Sequence, residues 1–343
     1  MSSRPLPPTG LSGVLLASWR LRCETPLAVR NGLQVEYESQ DHHKSRGDRI
    51  RFHWRPKDKK PGEDQDEAAV AALHYGYVVE GGRLAARHAV PPSSVRGALR
   101  SWTISHLVHP RYRSGMTPPE NENPEEADAY LARVKQAQDD PAGGWLTIAS
   151  LFGQAFESRD EELELSRAGR LRVETDPFEG KGPQSISVNG WLEDEAEPVG
   201  PENARRQMTV RNPLDRVTHA SRKGGLHQFL EFCAGEEFNL RLKIIDPQDS
   251  DLGLLGLWLR EMNLGMLRLG ALAAIGRGRV AVVEEQSSVC LWLQAGDPLP
   301  DWLDGFEPAG DGAAEEPLAG LWREYRLPVA ALDRFIINLQ TNG

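Results

Sequence analysis

The sequence predicts an α+β fold, because segments with the period of a strand alternate with segments that have the period of a helix. Apolar and polar residues alternate in residues 11–30 and 237–245, which is typical of half-buried β-strands. Residues 252–269 instead carry apolar side chains on most faces, which indicates a helix buried against a sheet.

Length, charge and cysteine content narrow the class of protein. The chain has 343 residues, a formal net charge of −10 and a pI near 5.5. This balance argues against nucleic-acid binding by the whole surface but allows a local basic groove. Three widely spaced cysteines, Cys23, Cys233 and Cys290, predict neither a disulfide framework nor a structural zinc site. Without a run of about 18 apolar residues or an export signal, the expected location is the cytoplasm.

After the first strand, which is expected to end near Thr25 and Pro26, residues 34–67 lose all periodicity and become strongly charged. This stretch predicts a structureless arm in which basic residues alternate with aromatic ones, an arrangement that suits single-stranded nucleic acid. A solvated surface loop explains the same composition equally well. The candidate arm residues are Lys44, Arg46, Arg49, Arg51, Trp54 and Arg55.

Residues 75–90 predict a hairpin that turns at Gly81 and Gly82 and leads into PPSSVRGALRSW, residues 91–102. A serine after two prolines predicts a helix that begins near Ser94, with that serine as N-cap. The unpaired N–H groups of a helix N-terminus attract phosphate, and Arg96 and Arg100 lie four residues apart behind it. An ordinary capped helix with two solvated arginines is the alternative interpretation.

The second half of the chain repeats this chemistry. An exposed insertion with a helix near residues 124–138 and a strand at 169–174 come first. A polar, basic loop follows at 205–223, and Gly276-Arg277-Gly278-Arg279 precedes a valine-rich strand. Glycine beside arginine allows close backbone approach while the guanidinium binds phosphate, although a plain turn is equally compatible. Beyond Glu284 the chain becomes acidic and Pro/Gly-rich, which predicts an appendage outside the core.

Catalytic groups are less clearly indicated. Two clusters can be assembled on paper: a divalent-cation site from Asp41, His42, His43 and Asp48, and a triad from Ser93, Asp215 and His219. No nucleophile elbow supports the triad, and charged loops often carry solvated His and Asp. His106 and His109 have a metal-compatible spacing without an evident third ligand.

Five segments in order resemble the RAMP superfamily of CRISPR-associated proteins, particularly the backbone subunits of type III effector complexes. They are ETPLAV, PPSSVRGALRSW, ASLFGQAF with GRLRVE, RNPLDRVTHASRKGGLHQFLEFCAGEEFNLRL, and LGALAAIGRGRVAV. The resemblance covers residues 13–283. It implies a ferredoxin-like, RNA-recognition-type antiparallel core at residues 11–285, with insertions at 34–74 and 110–145, and leaves residues 286–343 as a C-terminal extension.

The resemblance also implies that basic elements contact the backbone of a CRISPR guide RNA, with complementary target RNA and other effector subunits as further partners. The implied RNA-binding residues are Ser93, Ser94, Arg96, Gly97, Arg100, Arg211, Arg216, Arg222, Lys223, Gly276, Arg277, Gly278 and Arg279. No cofactor is expected for this binding.

Two departures from the family pattern bear on function. Pro92 replaces a glycine of the serine motif, and HYGYVVEGG upstream lacks the aspartate of target-cleaving members. Asp41, Asp48 and Asp66 of the arm are the remaining candidates for a Mg²⁺-dependent endoribonuclease, which is the first alternative. A non-catalytic assembly subunit that binds its neighbours through the acidic C-terminal region is the second.

Overall fold

The computed structural model describes residues 13–39, 50–54, 68–80, 83–108, 124–140, 144–157, 164–178, 206–211, 227–294, 307–308 and 322–336. Within these ranges the fold is mixed α+β, as expected from the sequence. The strands are β1 (Gly13–Cys23), β2 (Arg30–Ser39), β3 (Ile50–Trp54), β4 (Ala68–Leu73), β5 (Tyr75–Glu80), β6 (Arg83–His88), β7 (Gln154–Glu157), β8 (Glu164–Arg167), β9 (Leu171–Thr175), β10 (Arg206–Arg211), β11 (His227–Phe232), β12 (Glu237–Ile245), β13 (Val280–Gln294), β14 (Glu307–Pro308) and β15 (Trp322–Leu327). The helices are α1 (Pro92–Leu107), α2 (Pro124–Asp139), α3 (Trp145–Phe152) and α4 (Asp249–Asn263), with short 3₁₀ turns at Ala273–Ile275 and Val329–Leu332.

A six-stranded antiparallel sheet in the order β14-β15-β13-β1-β12-β9 forms the centre of the molecule. In β1 alternate residues are buried, so Leu15, Trp19 and Leu21 enter the core while their neighbours face outward. This alternation follows from the two-residue period of a strand with one covered face. The strand predictions for residues 11–30, 169–174 and 237–245 are therefore confirmed.

Helices α1 and α4 cover the inner face of this sheet. Residues 251–259 of α4 are all buried, which explains why its apolar residues lie on most faces. The Trp258 Nε1–H donates to the Thr103 hydroxyl at 2.9 Å, and that hydroxyl donates to the Leu99 carbonyl at 2.7 Å. This buried chain of hydrogen bonds fixes α4 against α1.

A buried ion pair joins α4 to Arg170, the residue that directly precedes β9. Asp251 has no exposed surface, and both its oxygens accept from the Arg170 guanidinium, at 2.7 and 3.0 Å. Arg170 also donates to the Ser150 hydroxyl and to the Asp246 carbonyl. The pair therefore stabilises the junction of three elements, and its geometry offsets the cost of burying two charges.

A second sheet has the order β10-β11-β4-β2-β3, in which only β11 and β4 run parallel. The prediction that residues 34–67 are structureless is wrong for the described part, because β2 and β3 pair in antiparallel orientation. The prediction of a loop from residue 205 is likewise wrong at its start, where β10 pairs with β11. Each of these strands carries a short run in which every second residue is apolar, such as Leu33, Val35 and Tyr37 in β2, within a charged surrounding sequence.

Two further boundaries differ from the sequence expectation. The last helix ends at Asn263 and not near residue 269, because Gly265 with φ 72° begins a turn. The chain also stays in the core beyond Glu284: β13 continues to Gln294, and β15 pairs with it. Leu291 and Leu327 are buried, so the expectation that this region lies outside the core is wrong for the described residues.

The hairpin prediction for residues 75–90 is confirmed by the pairing of β5 with β6, and the insertion helix is present as α2. The apolar segment at residues 146–156 contains most of α3 and the first part of β7, and β7 pairs with β8. No helix in the described ranges combines the length and apolar character that a membrane crossing requires.

Candidate nucleic-acid interface

The N-terminus of α1 is built by the proline pair and not by a serine cap. Pro91 is the N-cap, with φ −61° and ψ 133°, and its carbonyl accepts from the Ser94 N–H at 3.0 Å. The prediction of Ser94 as N-cap is wrong, because proline at position 92 fits the first helical turn. Ser93 and Ser94 therefore lie within that turn, Ser93 exposed and Ser94 half-buried. The turn carries no acidic side chain that would repel an anion.

The two arginines of α1 turn toward neighbouring helices. The Arg96 guanidinium donates to the Phe152 carbonyl at the end of α3. It also lies 6.0 Å from the centroid of the Phe152 ring. A cation at a helix C-terminus is favourable because the last carbonyls carry partial negative charge. Burial lowers the pKa of the half-buried Arg100, Arg96 lowers it further, and Tyr130 opposes the shift. Both arginines thus take part in helix packing.

The glycine–arginine turn at residues 276–279 is fastened to the segment that follows β1. The Gly278 N–H donates to the Pro26 carbonyl at 3.0 Å, and the Arg279 N–H donates to the Thr25 hydroxyl at 3.0 Å. Gly278 has φ 74°, and a Cβ there would overlap the Leu269 carbonyl. Only glycine fits at this position, so the backbone of the turn is held close to the core.

The two arginines of this turn have different environments. Arg277 is half-buried, and its Nε lies 3.0 Å from Oε1 of the fully buried Glu231. Arg279 is exposed, and its side-chain stem packs over Gly265. Arg279 is therefore the side chain of the turn that is most accessible to a ligand.

A cleft of about 370 Å³ lies where α1 approaches the segment before the turn. It is lined by Ala28, Val29, Arg30, Ser94, Ala98, Arg268, Gly270 and Ala271. Small side chains on both walls leave room between the backbones, while two guanidinium groups supply positive charge. The cleft brings together the serine motif and the glycine-rich segment, which lie about 170 residues apart in the sequence.

Sequence reasoning missed Arg30 and Arg268. Arg30 begins β2 directly after ETPLAV, and its guanidinium lies 5.0 Å from the Phe229 ring centroid. Arg268 donates to the Gly265 and Ala273 carbonyls, both at 2.9 Å, and so links the two turns beside the cleft. Each residue lies directly beside a recognised motif, Arg30 after ETPLAV and Arg268 before LGALAAIGRGRVAV, and this position was the signal that could have identified it. The misplaced end of the last helix concealed Arg268.

The outer face of the six-stranded sheet differs from this cleft in its charge balance. Four of its described arginines contact carboxylates: Arg20 with Glu237, Arg22 with Glu24, Arg241 with Glu174 and Asp176, and Arg326 with Glu324. Arg172 instead donates to the Gly169 and Leu171 carbonyls. Paired charges attract an RNA backbone less than unpaired ones. The cleft, with Arg30 and the nearby Arg279, is therefore the stronger candidate for phosphate contact.

Several predicted site residues cannot be placed. Asp41, Asp48, Asp66, Lys44, Arg46, Arg49, Arg55, Arg216, Arg222 and Lys223 lie outside the described residues, as do His42, His43, His109, Asp215 and His219. Arg51, Trp54 and Arg211 are described only as strand residues of β3 and β10. The proposed arm contacts, triad and arm-based metal site thus remain predictions.

Two described histidines, His106 and His74, have surroundings that the structure defines. His106 is exposed and stacks on Trp102, with ring centroids 4.0 Å apart, and burial lowers the pKa of His74. Within the described ranges, no group of three or more His, Cys, Asp or Glu side chains is arranged to hold a metal ion.

Comparison with protein families identifies the group to which the chain belongs. The model of the RAMP superfamily matches residues 20–281, which is well over half of the chain and includes α1, the cleft and the glycine–arginine turn. No curated protein matches the sequence. The chain therefore belongs to the RAMP superfamily, whose members are generally CRISPR-associated RNA-binding proteins.

Proposed function

We propose that the chain is a guide-RNA-binding backbone subunit of a type III CRISPR interference ribonucleoprotein. It holds the sugar-phosphate backbone of the guide and, with other effector subunits, helps the guide recognise complementary target RNA. The observation that carries this proposal is the cleft at which the first turn of α1 meets the glycine-rich segment, with Arg30 and Arg268 on its walls.

The topology of the central sheet supports a ferredoxin-like core. The four strands β13-β1-β12-β9 are neighbours in that order and are all antiparallel. Helix α1 lies between β1 and β9 in the chain, and α4 lies between β12 and β13. This is the β-α-β-β-α-β arrangement of ferredoxin-like folds, extended here by insertions.

The chemistry of the cleft suits an RNA backbone in preference to particular bases. Guanidinium groups and the N–H groups of a helix N-terminus bind phosphate oxygens without reading sequence. Such contacts serve a subunit that must hold guides of many sequences. They also make affinity strongly dependent on salt, because each neutralised phosphate releases counterions.

Single-arginine variants of the full-length chain test the proposal. We would measure fluorescence anisotropy of a labelled single-stranded RNA of about 40 nucleotides over a series of salt concentrations. Arg30→Ala and Arg279→Ala are each expected to weaken binding and to reduce the slope of log K against log salt by about 0.7 per lost phosphate contact. Arg326→Ala is the matched control, since Arg326 is exposed but contacts Glu324 on the outer sheet face. Unchanged affinity and slope in both the Arg30→Ala and the Arg279→Ala variant would contradict the proposal.

Assignment to a type III complex is tested separately. The tagged chain, expressed with its neighbouring effector subunits, is expected to co-purify with CRISPR guide RNA of discrete length. Recovery of those subunits with the chain but without any bound RNA would favour the assembly-subunit alternative.

A further inference from the structure

Glu231 is a carboxylate with no exposed surface, in the strand that follows the second basic segment. The Thr209 hydroxyl donates to its Oε2 at 2.5 Å across the β10–β11 pair. A buried carboxylate is costly unless a cation lies beside it, because desolvation outweighs a single neutral hydrogen bond. The cation beside Glu231 is Arg277.

The contact of Arg277 with Glu231 involves one side of the guanidinium group. Nε lies 3.0 Å from Oε1, which makes the contact an ion pair without hydrogen-bond geometry, and both atoms are buried. About 28% of the Arg277 side chain nevertheless remains exposed. The side chain thus spans from a buried anion to the surface of the glycine–arginine turn.

The location of this pair connects two of the basic elements. Strands β10 and β11 flank residues 212–226, which contain Arg216, Arg222 and Lys223. Arg277 lies in the turn beside the cleft. Glu231 lies opposite Gln207, at the end of the β10–β11 pair that is farther from residues 212–226, so the ion pair ties the turn to that end of the pair.

We propose that Glu231 is a positioning residue of the RNA-binding surface, which holds Arg277 through Nε so that its two terminal amino groups face an RNA phosphate. This inference rests on the proposed function. A guanidinium has five N–H donors in a planar fork, so one edge binds a carboxylate while the other takes a phosphate by two parallel bonds. Fixing the plane beforehand reduces the rotamer entropy that is lost on binding.

Four substitutions, at Glu231, Thr209 and Arg277, separate positioning from a purely structural role. Glu231→Gln removes the anion with little change in shape, and it is expected to weaken RNA binding about tenfold, because a charge-assisted phosphate contact is lost. The salt slope should fall by about 0.7. Thr209→Val is the matched control: it removes the other partner of the same carboxylate, leaves Arg277 in place and should leave RNA affinity unchanged.

Arg277→Met is expected to reproduce the loss, and combining it with Glu231→Gln should add nothing, because both changes remove the same contact. Arg277→Lys keeps a positive charge beside Glu231. This variant therefore still tests the role of the guanidinium group if Glu231→Gln does not fold. A lysine has no planar fork to hold both partners, and RNA affinity should fall as in Arg277→Met.

The assay is the anisotropy titration with single-stranded RNA, together with thermal unfolding of each variant. Additive losses for Glu231→Gln and Arg277→Met, or wild-type affinity for Glu231→Gln or Arg277→Lys, would overturn the positioning role. If Arg279→Ala weakens binding while Glu231→Gln does not, only this inference fails. If the wild-type chain binds no RNA, the proposed function fails with it.

Discussion

The geometry of the glycine–arginine turn can be tested by replacing glycine with alanine at two positions, Gly276 and Gly278. Both residues have positive φ, 86° and 74°, so alanine at either costs about 1–2 kcal/mol in backbone strain. At Gly276 a Cβ would meet nothing within 4 Å, so strain is the whole expected cost. At Gly278 the same Cβ would overlap the Leu269 carbonyl oxygen and lie 3.0 Å from its carbon.

In Gly278→Ala the backbone of the turn must therefore move away from Leu269. That movement disrupts the bonds from the Leu269 N–H to the Gly278 carbonyl, from the Gly278 N–H to Pro26 and from the Arg279 N–H to Thr25. At about 0.5–1.5 kcal/mol for each hydrogen bond, Gly278→Ala should cost roughly 3–6 kcal/mol in total.

Urea denaturation of both variants measures the difference in free energy of unfolding. Because Gly276→Ala carries the same strain without the overlap, it is the internal control. Equal losses at the two positions, or a loss below about 2 kcal/mol at Gly278, would refute the close packing of this turn against the core.

Three other predictions concern the core, pH and chemistry. Arg170→Met leaves the fully buried Asp251 without its cation, so unfolding free energy should fall by about 3–5 kcal/mol, whereas exposed Arg172→Met should change it by less than about 0.5 kcal/mol. Burial opposes ionisation of Asp176, but hydrogen bonds from Arg241 and Asn239 and the nearby arginine charges outweigh it and lower its pKa below 3.8. This carboxylate therefore stabilises the fold above that pH and loses its contribution as pH falls through the lowered pKa, so the stability difference from Asp176→Asn should shrink in acid denaturation series. In the assembled complex with Mg²⁺, we expect target RNA to be bound but not cut by this subunit. A regularly spaced cut abolished by Asp41→Ala, Asp48→Ala or Asp66→Ala would instead assign the nuclease activity to the arm.

The elements that the sequence predicted well are those with one buried face. In β1 and β12 the alternation of apolar and polar residues is nearly complete, since each strand has a covered and an open side. β2 and β3 were missed although every second residue in each is apolar, because these runs are short and the charged residues around them favour a loop. The end of β13 was misjudged because residues 284–286 are exposed, although the strand continues beyond them to Gln294.

The candidate site was predictable in its motifs but not in its contacts. PPSSVRGALRSW and the glycine–arginine turn were recognised from residue type and local order. The cleft between them, and the roles of Arg30 and Arg268 on its walls, depend on pairing between distant segments such as Ala28 with Ala271. Such long-range juxtaposition has no local sequence signal.

The structure also changes what a count of arginines implies about RNA affinity. Arg96 donates to a helix-end carbonyl, Arg268 donates to two turn carbonyls, and Arg277 pairs with a buried carboxylate. The same property, a fork of N–H donors, makes arginine useful for building the site and for binding phosphate. Each guanidinium that holds the scaffold has fewer donors left for RNA. The salt slope of binding should therefore correspond to fewer phosphates than the number of arginines around the cleft and the turn, with Arg30, Arg277 and Arg279 as the contributing side chains.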